Sequence, residues 1–365
     1  MSLEYDWLFL EHGDKGDVDE LFMIAKKLEQ KNELRIAATA YDRAFGLDPE
    51  NKEIASSRRE LLERLAITEH GIKFCYIPAG SFLMGSELGE LDEQPVHPVR
   101  LDDYWLSETP ITWLTFCELM DWYPPTNVLL SINGLKDDEV TAVWYAGNPK
   151  EQWIKSEEDP YDTVKEENKV RFEYCTREKN PDISFHPDET FDEKPMVAIS
   201  WKRVLELTER LSTNKIIYRL PTEAEWEKAA RGGLINCKYP WGDKAPSEQL
   251  CDFNRFEIYN FNLSILPMKS FSPNHYGLYD LAGSIWEWTN DWYDACYYKE
   301  SPTDQPTGPV SGQEKVLRGG SWADCADAMT VSFRMSRKSR GWSPTEGWSP
   351  HMSPNIGFRL CRVNK

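Results

Sequence analysis

Residue types that can do chemistry gather in a short stretch after the sequence Arg318-Gly319-Gly320. Ser321, Asp324 and Cys325 offer a hydroxyl, a carboxylate and a thiol. A carboxylate can accept a proton, and a hydroxyl or thiol can act as a nucleophile once it is activated. These three residues are the candidates for catalysis, although their types and spacing alone do not assign a reaction to them.

The spacing of cysteine and histidine predicts no zinc or iron site. The eight cysteines are scattered without a Cys-x-x-Cys pair, and the six histidines form no His-x-x-x-His pair. Close, regular spacing of such ligands is what usually marks a structural or helical metal site. We expect the cysteines to be buried or free thiols.

A basic cluster follows the candidate catalytic stretch. It contains Arg334, Arg337, Lys338 and Arg340, and a near-repeat after it places Trp342 and Trp348 in Gly-Trp-Ser-Pro sequences. Arginine beside tryptophan is typical of binding hot spots and of stacking on rings. Two interpretations stay open: the cluster forms a ligand-binding face, or its arginines pair with the protein's own acids while the tryptophans fill loop cores.

The composition excludes several classes of protein. The 365 residues carry 61 Asp and Glu against 42 Lys and Arg, which gives a formal net charge of −19. This acidity disfavours general binding to nucleic acid or to anionic membranes. The 15 Trp, 16 Tyr and 15 Phe are too many aromatic residues for a disordered acidic chain.

The start of the chain lacks the basic and apolar regions of a signal peptide, and no stretch approaches eighteen consecutive apolar residues. We therefore expect a cytoplasmic protein with no membrane association.

Helical periodicity predicts a helical segment over residues 1–70. Leu21, Ile24, Ala25 and Leu28 recur at steps of three and four, and similar runs follow. Residues 34–51 resemble the second helix and exit of a tetratricopeptide repeat, although one repeat is fewer than such arrays usually need. Two roles stay open for this segment: a helical cap on the rest of the chain, or an arm that docks peptides.

Residues 71–365 form a second predicted domain. Short apolar and aromatic runs punctuated by Gly and Pro predict strands, and further helices are predicted at 109–122 and 200–211 and after Pro221. Thr222 and Glu225 stand at capping-box spacing at the start of that last helix, and Gly232-Gly233 ends it. Residues 124–194 are rich in charge and proline, which predicts an ordered insertion.

Seven motifs then stand in one order along this domain. They are IPAGSFLMG at 77–85, YRLPTEAEWE at 218–227, YPWG at 239–242, NHYGLYD at 274–280, GSIWEW at 283–288, RGGSW at 318–322 and NIGFR at 355–359. The series resembles the formylglycine-generating enzyme, or sulfatase-modifying factor, family from about residue 74 to residue 362. The resemblance implies an α+β, C-type-lectin-like fold with little regular secondary structure.

The resemblance also implies bound calcium. Asp280, Gly283, Ile285 and Glu287 match the family's calcium loop, where carboxylates and backbone carbonyls would supply the hard oxygens that calcium prefers. A second family site would begin near Asp252, with a weaker set of ligands. The alternative is that Asp280 and Glu287 only form hydrogen bonds within their loops.

Copper is not expected, because this chain departs from the family at the metal ligands. The oxidising members carry two cysteines that bind copper(I), and here those positions hold Asp324 and Met329. A carboxylate and a thioether cannot form a dithiolate copper site or a disulfide-exchange pair. Trp286, Ser321 and Arg334 still match residues in or near the family's active site. The family's iron-binding branch is disfavoured, because the helical segment lacks a three-histidine motif.

These observations favour a non-catalytic recognition or accessory protein that binds a protein partner or a small anionic ligand. An oxidase of altered chemistry in the same groove is the main alternative, and a subunit that uses the 124–194 insertion to hold a larger complex is another. The candidate ligand-binding residues are Trp286, Ser321, Trp322, Asp324, Arg334, Arg337, Arg340, Trp342 and Trp348.

Overall fold

Three amphipathic helices form the N-terminal segment. The computed structural model describes residues 8, 16–121, 193–197, 199, 201–254, 266–338 and 355–365. The helices are α1 (Val18–Gln30), α2 (Leu34–Leu47) and α3 (Lys52–Leu65). The predicted face of α1 is confirmed, since Leu21, Ala25 and Leu28 are buried. The likeness to a tetratricopeptide repeat stays a prediction.

An antiparallel sheet of five strands forms the largest layer of the second domain. Its strands are β1 (Ile67–Glu69), β2 (Ile72–Ile77), β5 (Tyr104–Ser107), β6 (Ile216–Arg219) and β11 (Cys361–Asn364). Their order is β1-β2-β5-β11-β6, so the last strand of the chain lies between two much earlier ones.

Two smaller sheets complete the strand structure of the described ranges. β3 (Gly80–Met84) pairs with β4 (His97–Leu101). The four-stranded sheet has the order β10-β7-β8-β9, from Ile356–Gly357, Trp286–Trp292, Glu314–Arg318 and Met335–Lys338. β10 runs parallel to β7, and the other pairs are antiparallel. This sheet carries the candidate site.

Three further helices pack beside the sheets: α4 (Trp113–Met120), α5 (Trp201–Leu211) and α6 (Glu223–Arg231). The capping box predicted for α6 is confirmed: the Glu225 N–H donates to the Thr222 hydroxyl, and the Thr222 N–H donates to the Glu225 carboxylate. Gly232 ends this helix at φ 64°, a conformation that glycine adopts without strain.

Mixed helices and strands with long irregular loops confirm the predicted α+β class. The insertion predicted at 124–194 lies outside the described residues, apart from Glu193 and Lys194. None of the helices in the described ranges combines the length and apolarity that a membrane span needs.

Candidate functional site

A network of hydrogen bonds surrounds the carboxylate of Asp324. Its Oδ2 atom accepts the indole N–H of Trp286 at 2.8 Å and the backbone N–H of Ser321 at 3.1 Å. The Ser321 hydroxyl donates to the same oxygen. Trp286 opens β7, and Ser321 follows the end of β8, so adjacent strands position both donors.

Asn355 belongs to the same network. Its side-chain amide donates to the Ser321 hydroxyl oxygen at 2.6 Å, and its carbonyl accepts the Trp286 N–H at 2.7 Å. The sequence analysis did not single out this residue as part of a site, although it opens the motif at 355–359. We call Trp286, Ser321, Asp324 and Asn355 the cradle.

Met329 fills the position five residues beyond Asp324. Its side chain is fully buried, and its Cε atom would lie 2.3 Å from a Cβ atom built on Gly320. Gly320 also adopts a φ of 70°, so glycine is required here both for space and for backbone conformation. The thioether is therefore a packing element beneath the cradle.

The three candidate catalytic residues lie together but in different environments. Ser321 is buried, Asp324 is half-buried, and Cys325 is exposed at the start of a short 3₁₀ helix (Ala326–Met329). The Ser321 hydroxyl donates its proton in a hydrogen bond to Asp324, and its oxygen accepts a hydrogen bond from the Asn355 amide. This arrangement fixes the half-buried carboxylate of Asp324 and leaves its Oδ1 without a hydrogen bond from the described residues.

Known proteins share this architecture. The sulfatase-modifying factor enzyme 1-like domain matches residues 63–363. The chain belongs to this family. The formylglycine-generating enzyme of Streptomyces coelicolor is 33% identical over 308 residues, which cover 78% of this chain and 87% of that protein.

Two further comparisons concern a second relative and the fold. The inactive C-alpha-formylglycine-generating enzyme 2 of mouse is 36% identical over 160 residues, covering 39% of this chain and 42% of that protein. Treponema denticola variable protein 1 has the same fold, with a TM-score of 0.54 and 22% identity over 81% of this chain and 97% of its own.

Helix α6 forms several ion pairs through its glutamates, most of them buried. Glu223 pairs with Arg334, Glu225 with Arg219, and Glu227 with Arg231 and Arg318. These arginines also donate to backbone carbonyls, as Arg318 does to those of Val331, Ser332 and Phe333. β8, which ends at Arg318, and the segment at residues 331–334 are thereby joined to α6.

The prediction that Arg334 belongs to a ligand-binding face needs correction, because this arginine lies in the interior. Its guanidinium is buried, donates to both oxygens of Glu223 at 2.7 and 3.0 Å, and donates to the carbonyl of Asp92. Although burial opposes its charge, the neighbouring Glu223 carboxylate and these hydrogen bonds raise the pKa of Arg334. The observed structure therefore favours internal pairing for this arginine.

Of the other residues predicted to bind a ligand beside the cradle, some lie in the described ranges and some outside them. Arg337 lies on β9, half-buried, within range of the charges of Glu314 and Asp324; burial lowers its pKa, and those two carboxylates oppose that effect. Trp322 is buried, and its backbone N–H donates to the Ser284 carbonyl. Arg340, Trp342 and Trp348 lie outside the described residues.

Among the four residues that match the calcium loop, Glu287 has an arginine as its partner. Both oxygens of the Glu287 carboxylate accept from Arg359 at 2.7 Å, and one also accepts the Trp226 indole N–H at 2.8 Å. The Gly283 carbonyl accepts the Ile285 N–H within the same turn. Glu287 is thus neutralised by an arginine, so it does not fit the role of a calcium ligand.

Asp280 and Asp252 complete the residues considered for calcium. Asp280 accepts the Lys269 N–H at 2.8 Å, and burial raises its pKa to about 6. Asp252 is buried, and its carbonyl accepts the Ser284 N–H. Across the described part of the chain, no group of three or more His, Cys, Asp or Glu side chains is placed to hold a metal ion.

Proposed function

We propose that this chain is a recognition member of the sulfatase-modifying factor family that binds a partner at the cradle without carrying out copper-dependent oxidation. The observation that supports the proposal is the hydrogen-bonded carboxylate of Asp324 together with the buried thioether of Met329. These two side chains stand where the resemblance implies a pair of copper-binding cysteines.

The chemistry of the two side chains argues against copper(I). Copper(I) prefers thiolate ligands, whereas the Asp324 carboxylate is a hard oxygen donor whose Oδ2 already accepts hydrogen bonds from Trp286 and Ser321. Met329 is soft but uncharged and packs in the interior against Gly320. A cradle that has these hydrogen bonds but lacks the two cysteines implied by the resemblance is better suited to binding a partner than to copper-dependent oxidation.

The ligand proposed for the cradle is a protein partner or a small anionic molecule. Arg337 lies on β9 beside the network, within range of the Asp324 charge, and the sequence continues to Arg340, Trp342 and Trp348. Arginine and tryptophan together supply charge pairing and stacking surface. One relative carries the name of an inactive formylglycine-generating enzyme, which is consistent with a non-oxidising role.

An oxidase of altered chemistry is the second candidate, because two observations favour it. Cys325 is an exposed thiol directly after Asp324, and the 33% identical relative is named as a formylglycine-generating enzyme. In this alternative Cys325 would take the place of a metal ligand in the groove.

Oxygen uptake separates the two candidates. The full chain is supplied with copper(I), a thiol reductant and a cysteine-containing peptide, and oxygen consumption and aldehyde formation are measured. The recognition proposal predicts no aldehyde above the rate with Cys325→Ser. Aldehyde formation that Cys325→Ser abolishes would establish the oxidase instead.

Partner capture tests the recognition role directly. The full chain and its Asp324→Ala variant are used as baits in an extract of the source cells, with Ser301→Ala, which alters a surface loop, as the matched control. We expect a partner retained by the wild type and the control and lost with Asp324→Ala. Equal capture by all three baits would contradict binding at the cradle.

A further inference from the structure

A groove lies where the N-terminal helices meet the family domain. Thr39, Asp42 and Arg43 of α2 form one wall, and Gly80 and Lys228 lie on the other. Its cavity volume is about 70 Å³, which has room for a small ion or a few water molecules. The groove shares no lining residue with the cradle, and its α2 wall precedes residue 63, where the family match begins.

Lys228 is the unusual residue of this groove. Its side chain projects from α6, is buried, and donates from Nζ to the carbonyls of Pro78 at 2.5 Å and Gly80 at 3.2 Å. No ion pair joins it to a carboxylate anywhere in the described ranges. An ammonium group has three N–H donors, so one donor is left without a protein acceptor.

Four buried arginines of the described residues differ from Lys228, because each has a carboxylate partner. Arg58 pairs with Asp42, Arg231 and Arg318 with Glu227, and Arg359 with Glu287. No ion pair joins Asp42 to Lys228 among the described residues, and the Asp42 carboxylate accepts from Arg58 and from the Tyr276 hydroxyl. A buried charge without a counter-ion is costly, and such a charge on the wall of an open groove can be compensated by a ligand.

Titration of Lys228 agrees with this geometry. Burial lowers its pKa to about 8, and the carboxylates of Asp42, Asp102, Asp103 and Glu225 oppose that effect from a distance. The amine is therefore still mainly a cation at pH 7 and loses its charge one to two pH units higher.

We propose that the groove between α2 and α6 binds a small oxyanion, a carboxylate or a phosphate, whose oxygen accepts the third N–H of Lys228. The ligand would place a negative charge in direct contact with the Lys228 ammonium, which none of the described carboxylates does. Because the α2 wall comes from the helical segment, the site would also link that segment to the family domain.

Calorimetric titration of the full chain at pH 7 tests the proposal, with succinate and inorganic phosphate as separate probes. We expect saturable binding of at least one probe, and which one binds identifies the ligand class. Lys228→Met should weaken binding at least tenfold, whereas Lys228→Arg should keep most of it. For succinate, which stays fully charged, wild-type affinity should fall about tenfold between pH 7 and pH 9, as Lys228 deprotonates.

A second variant guards against misfolding of Lys228→Met. Asn236 is exposed, lines the groove and adopts a φ of 56°, which Asp tolerates, so Asn236→Asp adds a negative charge with little change of shape. Binding should weaken severalfold in Asn236→Asp and not in Asn32→Asp, an exposed position on the α1–α2 turn with a similar φ of 61°. No saturable binding of either probe, or wild-type affinity in Lys228→Met or Asn236→Asp, would overturn the proposal.

Discussion

The indole N–H of Trp286 donates a 2.8 Å hydrogen bond to Oδ2 of Asp324, a residue 38 positions later in the chain. Trp286 is buried and opens a strand, so this bond fixes the carboxylate relative to the sheet. It also gives a structural role to a residue at a position where the family resemblance implies a copper-binding cysteine.

Removing the Asp324 carboxylate should destabilise the fold. Asp324→Ala leaves Trp286 and Ser321 without their acceptor, and we expect a loss of about 1–3 kcal/mol in the free energy of unfolding measured with urea. Asp324→Asn keeps an acceptor oxygen and should cost less. No measurable loss in Asp324→Ala would show that these hydrogen bonds contribute nothing to stability.

Restoring the two cysteines should restore copper binding. We expect Asp324→Cys combined with Met329→Cys to bind one equivalent of copper(I) in competition with bicinchoninate, because two thiolates are the preferred ligands of that ion. The wild type and Asp324→Cys alone serve as controls and should not compete. If the double variant also fails to compete, the two side chains do not converge in this fold.

The buried pair of Arg334 and Glu223 should matter for stability. Arg334→Ala leaves the Glu223 carboxylate buried without its partner, and we expect a loss of about 3–5 kcal/mol in urea unfolding. Arg100 pairs with Asp304 at the surface, so Arg100→Ala should cost less than about 1 kcal/mol. A similar small loss for both variants would contradict the interior role of Arg334.

Calcium should have little effect on the fold. The Glu287 carboxylate is neutralised by Arg359, so we expect the same melting temperature in excess calcium and in excess chelator. A calcium-dependent rise of several degrees that disappears in Asp280→Ala would instead establish the calcium site that the resemblance implies.

Asp291 should make stability depend on pH. It is buried and accepts the Glu223 N–H at 2.8 Å; burial, together with the nearby Glu223 carboxylate, raises its pKa to about 8. An unfolded Asp has a pKa of about 3.9, so the folded protein holds this proton more tightly and its stability falls as the pH rises from about 4 to about 8.

Asp291→Asn should remove that dependence. The stability of the variant relative to the wild type should increase with pH by no more than about 1.4 kcal/mol per pH unit, measured by urea unfolding at pH 5, 6.5 and 8. A difference that stays constant across these pH values would rule out titration of Asp291 in this range.

The elements that local patterns control could be predicted from the sequence. The spacing of Leu21, Ala25 and Leu28 gave the buried face of α1, and Thr222 with Glu225 gave the start of α6. The order of the motifs also predicted the family correctly, because six of the seven motifs combine glycine with aromatic residues and the seventh, at 218–227, carries the start of α6.

Long-range partners could not be predicted in the same way. Arg334 finds Glu223 at a separation of 111 residues, and Arg359 finds Glu287 at 72, so neither pairing leaves a local signal. Lys228 has the sequence context of a helix surface, and only the packing around α6 buries it. For the cluster at Arg334 the sequence therefore left a binding face and internal pairing both open, and the structure shows that its first arginine is internal.

The position of β11 has a consequence during protein synthesis. Residues 361–364 fill the gap between β5 and β6, so the main sheet stays divided until the ribosome has made them. Until then the facing edges of β5 and β6 expose unpaired backbone groups, which favours association with other chains. We expect the nascent domain to depend on chaperones until β11 has been released, and to acquire protease resistance only after that.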